Sequence, residues 1–281
     1  MRRAPGGARG YAGAVPPHDE LATADRPVRA TAPRSGPAEL VLVRHGESVG
    51  NVADRDARRR GAGRLTLDAR DADVQLSDLG AEQAAAVGRH LTAMAQDARP
   101  TVLLSSPYRR AADTARTAAA GLDLRVTLDE RLRERDLGAF DGMTGAGIRE
   151  EYPDEAKRRQ HTGKLYYRPP GGESWCDVAL RVRSVLDTAR LDHDGARLWV
   201  FTHQAVIMAF RFVLEQLTEE ELLTVDRDTP VANCSMTTYR RDGDGVLQLE
   251  SFGDTAAVDQ AAAASVTHED EQAGRSGDVA S

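Results

Sequence analysis

The chain has 281 residues, with 37 Lys and Arg against 44 Asp and Glu, so its net charge is −7. Hydrophobic residues make up 41% and aromatics only 5%, so the core must be built chiefly from Ala, Val and Leu. The acidic balance excludes a general nucleic-acid binder, which needs a basic face. No stretch reaches the roughly 18 apolar residues of a membrane-spanning helix.

The N-terminus opens on arginines but has no continuous apolar run, so no secretory signal is expected and the protein is expected in the cytoplasm. Cys176 and Cys234 stand far apart, with neither a disulfide framework nor a zinc spacing; they are expected as two buried, inert thiols. Residues 1–37 are rich in Ala, Gly, Pro and Arg without a period, and are expected as a disordered tail. Residues 255–281 carry almost no large apolar residue and are expected as a second one. The folded domain is then 38–254, with no internal repeat.

Inside it, strands and helices alternate. ELVLV at 39–43 predicts a buried strand, followed at once by RHGES. Ser77 caps a helix running through Ala84, Val87, His90, Leu91 and Met94. TVLL at 101–104 predicts a second strand; Pro107 opens the next helix and Gly121 stops it. LRVTL at 124–128 predicts a third strand, and a long loop with RERDLGAFDG follows. Ser174 and Asp177 form a capping box for a helix to about Leu191. RLWVFT at 197–202 predicts a fourth strand, with the apolar helix QAVIMAFRFVLEQL behind it. Thr218 and Glu221 cap a short further helix. CSMTTYR and VLQLES, split by Asp242–Gly245, predict a closing hairpin.

This alternation predicts an α/β fold with a mostly parallel sheet covered on both faces. Sites in such folds lie beyond the carboxyl ends of the strands. Three polar clusters fall there: Arg44–His45, Ser105 to Arg110, and Thr202–His203. Arg44, Arg110, His45 and His203 together would repel one another unless an anion sat among them. Two guanidinium forks and two imidazoles suit a phosphoryl group, with the arginines binding its oxygens and a histidine adding a nucleophile or acid near neutral pH. Phosphoryl transfer is catalysed largely by positioning and charge stabilisation. No His, Asp or Glu group has a metal-ligand spacing.

VRHGESVGN at 43–51 resembles the signature of the histidine phosphatase superfamily, in its phosphoglycerate-mutase-like branch. SSPYRRAADTA at 105–115, LRERDLGAFDG at 132–142 and VFTHQAV at 200–206 are similar to its second, third and fourth motifs. DVQLSDLG at 73–80 and YYRPPGGESW at 166–175 match connecting segments. The resemblance runs in order over about 43–240. It implies a three-layer α/β/α sandwich. It also implies His45 as a nucleophile that becomes phosphohistidine, Arg44 and Arg110 as a phosphate clamp, and His203 as a donor to the same oxygens. Glu134 is implied as the acid that protonates the leaving oxygen and then the base for water. Asn51 serves as a phosphate-side amide or in a local turn. Gln204 is a candidate substrate contact; it stands where many members have Gly, and its backbone N–H survives that change. His-Gln-Ala-Val is shared with the fructose-2,6-bisphosphatase branch. Asp141-Gly142 replaces the usual Glu-Gly.

The expectation is a metal-independent phosphatase with no cofactor, acting on a small phosphorylated substrate, without nucleic-acid or membrane partners. A 2,3-bisphosphoglycerate-dependent phosphoglycerate mutase is the alternative. A non-catalytic phospholigand-binding module is the rival from another class, and a metallohydrolase would be dismissed by activity in EDTA. The five arginines of 55–64, in a loop, either solvate the surface or meet a second anionic group on the substrate. The same choice applies to Lys157, Arg158, Arg159, Lys164 and Arg168.

Overall fold

A computed structural model describes residues 35–260 and residue 267, all within the unit Arg34–Ser281. β1 (Glu39–Arg44) is buried at all six positions, as a strand covered on both faces must be. Two helices follow: α1 (Val49–Arg59), then α2 (Asp78–Ala93), whose Ser77 hydroxyl accepts from Gly80 N at 3.0 Å. Next come β2 (Val102–Ser105), α3 (Arg109–Ala119) and the short β3 (Val126–Leu128). The long connection holds α4 (Gly145–Glu151) and α5 (Pro153–Thr162), and leads to α6 (Trp175–Asp192). β4 (Arg197–Thr202), α7 (Gln204–Leu214) and α8 (Glu219–Asp228) precede the hairpin of β5 (Met236–Arg241) and β6 (Leu247–Asp254). A single turn, α9 (Ala256–Asp259), follows.

The sheet order is β3-β2-β4-β1-β5-β6. The first four strands are parallel and the hairpin adds antiparallel strands at one edge. Leu40, Leu42, Leu198 and Val200 pack with Val182 of α6 and with Ile207 and Phe210 of α7. The alternate residues Val41, Val43, Trp199 and Phe201 pack with Val87 and Leu91 of α2 and with Ala115 and Ala118 of α3. The period of two along each strand thus feeds two cores, and the three layers follow. Each buried Val or Leu contributes about 1.5–3 kcal/mol.

Both expected capping boxes are present, Ser174 with Asp177 on α6 and Thr218 with Glu221 on α8. α3 starts two residues after Pro107, and it ends at Ala119, before Gly121. Of the thiols, Cys234 is buried but Cys176 only half-buried, and burial pushes both up, Cys234 to about 12.

The stretch 55–64 corrects the expected loop, because α1 runs through Arg59. Its start is a second capping box, Ser48 with Asn51. Only Asn51 and Ala57 of this helix are buried, so no apolar period announces it. Asp54–Arg58 and Asp56–Arg59 ion pairs support it at helical spacing. Arg55 pairs with Glu47 at 2.8 Å, Arg64 with Glu151 at 2.6 Å, and Arg60 donates to the Asp56 carbonyl at 3.3 Å. The chain's own acceptors therefore engage all five arginines. Lys157, Arg158, Lys164 and Arg168 likewise meet Asp154, Glu155, Asp226 and Asp177.

The ends also depart from the expected boundaries. Ser35 N donates to Asp194 at 3.1 Å, and the Gly36 carbonyl accepts from Gly195 N. Past 254, α9 buries Ala257 and Val258, and Thr267 bonds Asn233. The rest of the two expected tails lies outside the described residues.

Candidate active site

Three adjacent parallel strands, β2, β4 and β1, deliver the polar clusters to one edge. In register, Arg44 lies opposite Thr202, and Ser105 opposite Phe201. His45 and His203 are thus the first residues beyond neighbouring strand ends. Their ring centroids are 5.1 Å apart at 60°, and the Tyr108 ring stands 5.4 Å from His203.

His45 is 2% exposed, and its Nδ1 lies 2.8 Å from the Gly46 carbonyl oxygen. A carbonyl only accepts, so Nδ1 carries the hydrogen and Nε2 keeps its lone pair. Burial holds the imidazole well below its usual range, with Arg110 and then Arg44 pushing the same way. His203 is fully buried, and burial, Arg110 and His45 lower it likewise. Its Nε2 is 2.8 Å from Ser106 Oγ, which accepts from Tyr108 N at 3.1 Å. Its Nδ1 has no hydrogen-bond partner among the described residues and lies 3.8 Å from Glu134 Oε2.

These shifts carry a stability prediction. Both imidazoles are lowered on folding, so between their folded values and about 6.5 the unfolded chain binds more protons. Stability is then complete above about pH 6.5 and falls as pH drops, by up to about 1.4 kcal/mol per pH unit for each histidine. Urea midpoints measured from pH 7.5 to 5 should fall, and His45→Asn should flatten the slope. A pH-independent midpoint in the wild type would contradict the neutral pair.

Arg44 is completely buried and Nη1 donates to the Val231 carbonyl. Arg110, on the first turn of α3, is nearly buried. Its Nη1 donates to Asp71 Oδ1 at 2.8 Å and to the Asp71 carbonyl at 2.7 Å. Glu134 turns inward to His203, and its Oε1 accepts from Arg135 N at 2.8 Å. Gln204 is buried at the start of α7, and its Oε1 has no partner among the described residues. Asn51 is buried, and its Oδ1 accepts from Ser48 N at 2.9 Å, a helix-capping role. The structure thus brings His45, His203, Arg44, Arg110 and Glu134 to one edge, with Gln204 beside them and Asn51 in the first turn of α1.

Several residues hold this arrangement without having been expected from the sequence. Gly46 N donates to Thr114 Oγ1 at 3.0 Å, and Glu47 N to Gln83 Oε1 at 2.8 Å. Asn233 Nδ2 donates to the His45 carbonyl at 3.0 Å, and Cys234 N to the Arg44 carbonyl. Cys234 adopts a left-handed φ of 56° to do so. Thr267 donates to Asn233 Oδ1 and accepts from Gln83 Nε2. Ser106 lay in view within SSPYRR; Gln83 and Asn233 carry no signal of spacing that a single sequence shows.

Among the described residues no His, Cys, Asp and Glu cluster could hold a metal ion, and no helix is long and apolar enough to cross a membrane.

Comparison with known proteins agrees with this geometry. A bifunctional protein of Mycobacterium tuberculosis is 34% identical over 186 residues, 66% of this chain but only 46% of its own length. The chain therefore spans about half of that relative. Phosphoglycerate mutase-like protein 4 of Arabidopsis thaliana is 30% identical over 232 residues, covering 79% of this chain and 88% of the relative. Among solved structures, a mycobacterial glucosyl-3-phosphoglycerate phosphatase in complex with VO3 superposes with a TM-score of 0.61 at 28% identity, covering 77% of this chain and 99% of that one. The family model for the histidine phosphatase superfamily (branch 1) matches residues 40–255, every strand of the sheet from Leu40 onward and every residue at this edge. With that match and the paired histidines at the strand ends, the chain belongs to the histidine phosphatase superfamily.

Proposed function

We propose that this chain hydrolyses a small phosphomonoester, without a metal, through a phosphohistidine on His45. The observation that carries the reading is the Nδ1 contact of His45 with the Gly46 carbonyl, in a setting that keeps the ring neutral. An imidazole so held offers Nε2 as a nucleophile at neutral pH. Nε2 attacks phosphorus, the N–P bond forms and the P–O bond to the leaving group breaks. Glu134 gives its proton to the departing oxygen. The Glu134 carboxylate then takes a proton from water, whose oxygen attacks phosphorus. The N–P bond breaks, and inorganic phosphate, neutral His45 and protonated Glu134 result.

Arg44, Arg110 and His203 serve charge stabilisation, with Asn51 and Gln204 as further substrate contacts. For Arg110 this requires the phosphoryl group to share or take over the fork now on Asp71. The cationic groups at this edge supply the field that a metal would otherwise provide. A phosphatase among the structural relatives is in keeping with hydrolysis. Glu134, turned toward His203 rather than away from it, counts against a mere binding module. The catalytic domain proposed is 38–254, extended at its ends by Ser35 and Gly36 and by α9, which are joined to it. Two free cysteines fit a reducing, cytoplasmic compartment.

The test is phosphate release from p-nitrophenyl phosphate and 3-phosphoglycerate in EDTA. Undiminished wild-type activity is expected. Activity lost in EDTA and restored by a divalent metal would overturn the metal-free reading. Hydrolysis absent, with 2-phosphoglycerate formed on adding 2,3-bisphosphoglycerate, would make the protein a mutase.

A further inference from the structure

We propose that Glu173 and Arg181 form a clamp that positions Glu134 for proton delivery to the leaving group. The proposal rests on the role given to Glu134 above. Glu134 sits on an irregular segment between two 3₁₀ turns, Glu130–Leu132 and Gly138–Phe140. No ladder or helix fixes such a backbone, so its side chain needs other restraints.

Those restraints converge on two residues from the start of α6 and the loop before it. Arg181 Nη1 donates to the Arg131 carbonyl at 2.6 Å, and Nη2 to the Glu134 carbonyl at 3.3 Å. Glu173 receives Arg181 in a two-pronged pair, Nε to Oε1 and Nη2 to Oε2, both at 3.0 Å. Glu173 also accepts from Arg133 Nη2 at 2.6 Å and from Asp136 N at 3.1 Å. Its backbone carbonyl accepts from Arg135 Nε at 2.8 Å, and its N donates to the Asp136 carbonyl at 2.8 Å. Residues 131, 133, 134, 135 and 136 are thus all tied to this pair. The pair is largely buried, with side-chain exposures of 10% for Arg181 and 14% for Glu173. A buried, bidentate pair is rigid and directional, unlike a surface one.

Neither residue is a catalytic one; each acts through the backbone beneath Glu134. The consequence is selective. A leaving group that departs as a stable anion needs no acid, whereas a basic one does. Damage to the clamp should therefore slow basic leaving groups and spare good ones.

The experiment compares kcat/KM for phenyl phosphate and 2,4-dinitrophenyl phosphate in wild type, Glu134→Gln, Glu173→Gln and Arg181→Lys. This constant covers the steps up to leaving-group departure. Glu134→Gln should lower the phenyl rate by about 10²-fold or more and leave the dinitrophenyl rate nearly unchanged. Glu173→Gln and Arg181→Lys should each lower the phenyl-to-dinitrophenyl ratio about tenfold, part of the full effect of the acid. In the double variants with Glu134→Gln the clamp substitutions should add nothing to that ratio, because they act through the lost group. The ratio is taken within one sample, so a reduced folded fraction cancels. Equal losses on both substrates in the clamp variants, with the selective loss intact in Glu134→Gln, would overturn the clamp. A Glu134→Gln variant without leaving-group selectivity would instead overturn the role of Glu134 itself.

Discussion

His45→Ala is expected to lower kcat on p-nitrophenyl phosphate by about 10⁴-fold or more, since removing a nucleophile leaves only positioning and charge stabilisation. The size of the loss follows from how little else at this edge could replace the ring. His203 is 5.1 Å away centroid to centroid, but Ser106 holds its Nε2. Its Nδ1 faces Glu134. Neither nitrogen is offered in the way that His45 offers Nε2. The fold should tolerate the change, because the loop around His45 is held by backbone groups: Gly46 N on Thr114, Glu47 N on Gln83, and the His45 carbonyl on Asn233. The variant should therefore unfold near the wild-type temperature while losing turnover. Brief exposure to labelled substrate, then quenching in base, should leave label on wild type and none on the variant. Residual activity within about tenfold of wild type would assign the nucleophile elsewhere.

The acid limb of the same activity should lie low. Attack needs neutral His45, and burial with two arginines depresses its titration. Rate is lost only as pH falls through that depressed value, so the limb in kcat/KM should fall below the ordinary histidine value of about 6.5.

How far the sequence disclosed this site depends on which interaction holds each residue. His45 and His203 are legible because each stands one polar residue beyond an apolar run that reads as a buried strand. Parallel order then puts consecutive strand ends on one edge. Glu134 was legible through the resemblance alone: its loop has no period, and three other carboxylates lie close by in sequence. α1 shows no apolar stripe in the sequence, because only Asn51 and Ala57 of it are buried. Its signal is the Ser48–Asn51 cap, in which the Asn51 side-chain oxygen accepts from Ser48 N. The supports were illegible for a different reason. Asn233 and Gln83 act on backbone groups 188 and 36 residues away, and Arg181 acts on carbonyls 50 and 47 residues away. Such contacts depend on chain packing rather than on any local pattern.

Gly80→Ala should be the most damaging single-methyl change near this edge. By helix propensity alone it should stabilise, since Ala in a helix is better than Gly by about 1 kcal/mol. The packing reverses the sign. A Cβ on Gly80 would lie 1.9 Å from the Glu47 carbonyl oxygen, with Glu47 C at 2.8 Å and N at 2.9 Å. These are backbone atoms of the loop that carries His45, and they cannot rotate away as a side-chain tip could. The approach is reciprocal: a Cβ on Gly46 would lie 2.5 Å from the Gly80 carbonyl oxygen. Ser77 tightens it further, its N donating to the Glu47 carbonyl at 2.9 Å and its Oγ to Oε1 at 2.8 Å. Either α2 or the loop must move, and overpacking of this kind costs about 3 kcal/mol. In a domain of this size that lowers the melting temperature by roughly 6–12 °C. Gly243→Ala, where a Cβ meets nothing within 4 Å, should change it little and is the control. Activity should fall with stability in Gly80→Ala even below the melting temperature, because the displaced segment holds His45 and its Gly46 carbonyl partner. A Gly80→Ala protein as stable and as active as wild type would mean that the loop has slack, and that the nucleophile is not fixed by its seat on α2.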